Sequence, residues 1–215
     1  MSGQQLELIA WMTPLFALIG TLVYAFRNRK ERQKHSWLPV YLLGALSFDL
    51  FTRYFAGYLS NNLFLVPLYG IFELLIFTWW FRSQTSSRLY QRMQLFTLAL
   101  IIYLGYETAM IVRLPAEQFQ SFGRCMTSLT IVSYCIMAML RSVKQAEQEK
   151  PANLFMSSIT LVYFLISSTW YLTVNFFVNQ PTPSVFNLWL VFALSTPLFY
   201  FMLPLALHKH GKSPR

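Results

Sequence analysis

The sequence predicts an all-α, polytopic membrane protein: a bundle of seven transmembrane helices, N-terminus outside and C-terminus in the cytoplasm. Three observations carry that reading. Of the 215 residues, 55% are hydrophobic and 12% charged, whereas an ordinary soluble domain carries about a quarter charged residues. The apolar residues gather into seven runs, each near the ~20 residues that cross roughly 30 Å of hydrocarbon as helix. The basic residues cluster between alternate runs, which is how membrane helices are oriented. A net charge of +9 would suggest nucleic acid if it were spread over a polar surface. Clustered as it is, it points to the lipid bilayer as partner and to no nucleic acid.

The runs cover residues 6–26, 37–58, 63–81, 93–112, 122–140, 154–178 and 185–207, forming one domain over 1–215. Lipid demands that backbone groups be satisfied within each segment, and these segments are too long and uniformly apolar for barrel strands. The first run lacks a basic leader and its positive charges follow it, so it is expected to stay as a helix and not to be cleaved. The second and third are joined by the four-residue turn "LSNN" (59–62), where Asn61 or Asn62 is placed to cap the third helix or to stand at a pocket mouth. Pro14, Pro67 and Pro197 fall well inside runs and are expected to kink them. Small residues (Gly44, Ala45 and Ser47; Ser157, Ser158, Ser167 and Ser168) allow close helix approach. Cys125 and Cys135, ten residues apart on one helix, cannot bridge each other. They read as packing residues.

Orientation follows from the loops. Residues 27–35 hold five Lys/Arg, and 82–92, 141–150 and 208–215 hold three each, so fourteen of seventeen lie on one side. The opposite turns, 59–62 and 179–184, hold none, and Arg113 stands alone in 113–121. The positive-inside rule puts the dense loops in the cytoplasm. The expected location is the inner membrane, crossed several times. An echo, "NLFLV" (62–66) and "NLWLV" (187–191), together with the shared direction of spans one to three and five to seven, has the layout of a three-plus-one-plus-three transporter repeat. The Pro-Gln signature of sugar transporters with that layout is absent.

Away from the first residues of the runs, where Glu7 and Arg124 stand, the spans hold three acids and one arginine. Asp49 and Arg53 are spaced i,i+4 and can pair on one helix face. The third and fourth spans each carry Tyr-x-x-x-Glu: "YGIFE" with Tyr69 and Glu73, and "YLGYE" with Tyr103 and Glu107. Helix direction places all six groups between mid-depth and the outer half. A charge at the bilayer centre costs at least ~2.5–3.5 kcal/mol, so these groups are expected to face the interior. Arg53 neutralises one carboxylate, most simply Asp49. Glu73 and Glu107 then lack an obvious cation, with Arg113 and Arg124 as the other candidates, and burial favours the neutral carboxyl in at least one of them. The same residues also read as a purely structural network fixing helix register.

The candidate ligand-binding residues are therefore Asp49, Arg53, Tyr69, Glu73, Tyr103 and Glu107, serving a small molecule or cation from the outer side. Several chemistries are set aside. His35, His208 and His210 lie at the basic boundary, which argues against an intramembrane histidine–zinc site. No lysine lies in a span to form a retinal Schiff base. Nucleophile-elbow, P-loop and dinucleotide signatures are absent, and no cofactor is expected.

The stretch "SNNLFLVPLYGIFELLIF" (60–77) resembles a feature of small bacterial seven-span integral membrane proteins, in which an Asn-Asn-Leu-Phe turn precedes a tyrosine and then a glutamate. That group has no settled activity, so the resemblance implies the architecture and no function. With no soluble catalytic domain and a polar site in the outer half, the expected role is a receptor-like or sensory module with a cytoplasmic signalling partner. The alternatives are a small proton-coupled or cation/solute transporter and, less favoured, a carboxylate-dependent membrane hydrolase using Asp49 and Glu73.

Overall fold

A computed structural model describes residues 3–26, 36–56, 58, 62–113, 119–144, 151–177 and 183–210. Seven α-helices account for most of them: α1 Gly3–Ala25, α2 Trp37–Ala56, α3 Leu65–Phe81, α4 Ser87–Ile111, α5 Phe122–Lys144, α6 Pro151–Phe177 and α7 Pro183–His210. A 3₁₀ turn, Arg82–Gln84, joins α3 to α4, and the described residues contain no strand. The basic segments 27–35, 145–150 and 211–215, and Asn61, lie outside the described residues.

Four helices contain stretches long and apolar enough to cross a membrane: Arg88–Ile111, Phe122–Val143, Leu154–Phe176 and Phe186–Ala206, of 24, 22, 23 and 21 residues. The apolar stretches Trp11–Ala25 of α1 and Leu65–Phe81 of α3 are shorter. Large side chains on the outside are apolar too; Leu95 and Ile102 of α4 are 69% and 67% exposed. Water disfavours such a surface, whereas lipid tails match it. The helices fit an integral membrane protein.

The helices pack in the order α1–α2–α3–α5–α6–α7, and α7 returns to pack on α1, closing the circuit. α4 lies outside it, against α3 and α5. α3 is the most enclosed element: Glu73, Leu74, Phe77 and Phe81 are fully buried. Its Phe77 meets Tyr41 of α2 and Phe164 of α6 edge-on, at 5.1 Å each, while Tyr163 of α6 stacks on Phe199 of α7 at 4.1 Å. Aromatic pairs of this kind contribute ~0.5–1.5 kcal/mol each beyond area burial. Gly44 lets α2 approach α3, because a Cβ there would lie 2.0 Å from Phe72 Cζ. Ser128 and Ser167 share a 3.1 Å hydrogen bond between α5 and α6. Both cysteines are buried and free.

α4 begins at Ser87, ahead of the apolar run that starts at residue 93, because a helix does not stop where its apolar run does, and Leu89 still packs on the core. Two local expectations are corrected. Pro67 lies in the first turn of α3, where a missing N–H removes no intrahelical bond, so it does not interrupt the helix. Asn62 does not cap α3 with its side chain; its amide donates to the Thr52 carbonyl of α2 at 3.0 Å and ties the turn to the preceding helix.

Candidate functional site

The end of the bundle that carries Asn62 holds a cavity of about 290 Å³ between α2, α3, α5, α6 and α7, with Thr13 of α1 also in its wall. Asp49, Arg53, Tyr69 and Arg124 line it together with aromatic residues that include Tyr171 and Trp189. Asp49 and Arg53 make the expected i,i+4 pair. Arg53 Nε donates to Asp49 Oδ2 at 2.7 Å and Nη2 reaches Oδ1 at 3.5 Å. Both side chains are part-exposed, and the guanidinium lies over the Trp11 ring, 4.6 Å from its centroid.

Glu73 sits one helical turn beyond Tyr69 on α3 and is fully buried. It has the cation that sequence reasoning left unassigned: Arg124 Nη1, from α5, pairs with Glu73 Oε2. Tyr41 of α2 donates its hydroxyl to Glu73 Oε1 at 3.1 Å. One carboxylate thus ties α2, α3 and α5 together. Arg124 is 1% exposed, and its Cζ lies 5.1 Å from the ring centroids of both Tyr69 and Tyr171. Such contacts stabilise a desolvated cation by ~2 kcal/mol or more. The Tyr69 and Tyr200 hydroxyls are 2.9 Å apart, linking α3 to α7. The ion pair therefore forms part of a packed network running from the cavity wall into the core.

Glu107 and Tyr103 stand elsewhere. Glu107 is buried at the corner between α4 and α5, where it accepts the Gly123 backbone N–H at 3.0 Å and the Ser121 hydroxyl at 3.1 Å. A carboxylate there satisfies orphan donors and complements the positive end of the α5 dipole. Asn175 of α6 accepts the Ser121 N–H at 2.7 Å, adding a third helix to the corner. Gly123 makes room for this approach, since a Cβ would lie 2.6 Å from Glu107 Oε2. Tyr103 is 42% exposed on α4. The six candidate residues thus divide: Asp49, Arg53 and Tyr69 line the cavity, Glu73 supports it from below, and Tyr103 and Glu107 form a separate corner.

No protein-family model, no curated protein and no solved structure matches the chain.

The sequence offers Arg124 only as a possible partner and does not single out Tyr41 or Tyr200. The signal for Arg124 was present in "FGRCMTS" (122–128), an arginine just inside an apolar run and followed by small residues that let neighbouring helices close over it. For Tyr41 there was no such signal, because a tyrosine in an aromatic-rich span is unremarkable until its neighbour across the interface is known. Among the neighbouring aromatic residues, Tyr171 lines the cavity and Trp170 stacks on Phe192 at 5.8 Å, whereas Tyr54 and Tyr106 are exposed. Among the described residues, no cluster of His, Cys, Asp and Glu has the make-up of a metal site.

Proposed function

We propose that the chain is a seven-span protein of the inner membrane, N-terminus outside, whose cavity opens to the outer face and binds a small polar ligand as a receptor-like module. The observation that carries this reading is the cavity itself: a concave chamber with seven aromatic residues among its seventeen lining residues and a few convergent charged groups has the usual form of a small-molecule site. It lies at the end of the bundle where the connecting segments are poor in Lys and Arg, and the fourteen basic residues of the other segments support a cytoplasmic position for the opposite end. α1, α2 and α3, at 23, 20 and 17 residues, are roughly 25–35 Å long at 1.5 Å per residue, which supports spanning by all seven helices.

A receptor is favoured over a transporter because the chamber has a floor. Tyr41, Phe77, Phe164 and Phe199 are fully or almost fully buried beneath it and pack ring against ring. Binding energy can instead shift α2, α3 and α5, which meet at Glu73, and so reach the basic cytoplasmic segments and a signalling partner. A carboxylate hydrolase is disfavoured because Asp49 and Glu73 are each engaged by an arginine.

Cysteine accessibility in intact cells tests the reading, with Cys125 and Cys135 replaced by serine. Ala193→Cys in the cavity wall is expected to react with a membrane-impermeant thiol reagent from outside. Arg88→Cys, at the opposite end, is expected to react only after permeabilisation. The reverse pattern would overturn the orientation, and an Ala193→Cys that is inert from both sides would remove the open cavity.

A further inference from the structure

We infer that the cavity takes a small organic carboxylate with an apolar, ring-sized body, an inference that rests on the ligand-site reading above and names the ligand class. The first observation is an unfinished arginine. Arg124 lines the cavity and is 1% exposed, yet its Nε has no hydrogen-bond acceptor among the described residues. A guanidinium offers five N–H donors, and the Glu73 ion pair engages it through Nη1. A buried donor left unmet carries its full desolvation cost, larger for a charged group, so an acceptor that reaches it through the cavity recovers that cost.

The second observation is charge. Two arginines and one aspartate line the cavity, a surplus of one positive charge, and Glu73, which balances Arg124, lies behind it and is not in the lining. An anion entering the chamber therefore meets Arg124 before it meets Glu73. Guanidinium and carboxylate match as planar, bidentate partners, which selects a carboxylate end over a simple halide. The Tyr69 and Tyr171 rings beside the guanidinium hold it in place, so little side-chain freedom is lost on binding.

The third observation is size and lining. About 290 Å³ is at the lower edge of ligand pockets and equals roughly ten waters of liquid volume. Phe48, Trp189 and Phe192 complete an aromatic wall suited to a single flat ring. An inorganic anion would leave that wall in contact with water. A long acyl chain would not fit.

Matched acid and amide probes test this on the full chain in lipid nanodiscs: benzoate with benzamide, phenylacetate with phenylacetamide, indole-3-acetate with its amide, and benzylamine as the cation. Saturable binding, followed by calorimetry and by the thermal unfolding midpoint, is expected to favour at least one acid over its amide by tenfold or more. The amides partition into lipid more readily, so that order cannot come from the bilayer. Ala193→Trp, which fills the chamber and leaves the Glu73–Arg124 pair intact, is expected to abolish acid binding. Acids that bind no better than their amides, benzylamine as the preferred probe, or acid binding that survives Ala193→Trp would each overturn the inference. Preferred amide or amine binding that is lost in Ala193→Trp would overturn the carboxylate alone and leave the ligand-site reading standing. The thiol-labelling pattern tests that reading separately.

Discussion

α3 and α4 carry the same five-residue motif, tyrosine then glutamate one turn on, and put it to different uses. On α3, Tyr69 faces the cavity and Glu73 binds a guanidinium below it. On α4, Tyr103 is largely outside and Glu107 receives a backbone N–H and a serine hydroxyl at the start of α5. Both acids act on the first turns of α5, one through the side chain of Arg124 and the other through the backbone of Gly123. The lesson is that spacing sets which groups share a helix face, while packing order decides what that face meets. α3 is inside the circuit of helices and α4 is outside it.

Substitutions can break this comparison at successively smaller scales. Glu73→Gln leaves the Arg124 charge buried and unpaired, and removing one partner of a buried pair typically costs about 3–5 kcal/mol. We expect that loss in reversible unfolding in mixed micelles; a loss under ~1 kcal/mol would mean that Arg124 finds another partner. Glu107→Gln removes a charged acceptor from two donors and is expected to cost about 1.5–3 kcal/mol by the same measurement. It should leave Ala193→Cys labelling unchanged, because the corner is not part of the cavity wall. Tyr69→Phe deletes one hydroxyl contact with Tyr200, and interhelical hydrogen bonds in membrane proteins average about 0.6 kcal/mol. Tyr103→Phe should fall within ~0.5 kcal/mol of the parent, as for other exposed positions. Equal effects for the two tyrosines would erase the distinction drawn between the motifs.

Much of the helical framework was legible in the sequence, because a membrane-length apolar run is a strong signal that needs no knowledge of neighbours. Helix ends were less so. Ser87–Arg92 is polar and still helical, and Pro67 falls in a first turn, not an interior. The Asp49–Arg53 pair was legible because both partners are on one helix at fixed spacing. The Glu73–Arg124 pair was not, since it depends on α3 packing against α5, which no local pattern encodes. Depth was the misleading guide for Glu107: it told how far along the bundle the carboxylate lies and nothing of the direction it faces. With α4 outside the circuit, that direction is towards the α5 corner, where Gly123 makes room for it.

The most direct test of the account is a double-mutant cycle between Glu73→Gln and Arg124→Gln, read as unfolding free energy in mixed micelles. A buried, exclusive pair predicts that each single substitution is severe and that the double is milder than their sum, with a coupling of at least ~2 kcal/mol. Additive effects, with coupling near zero, would contradict the ion pair that joins the cavity wall to the core.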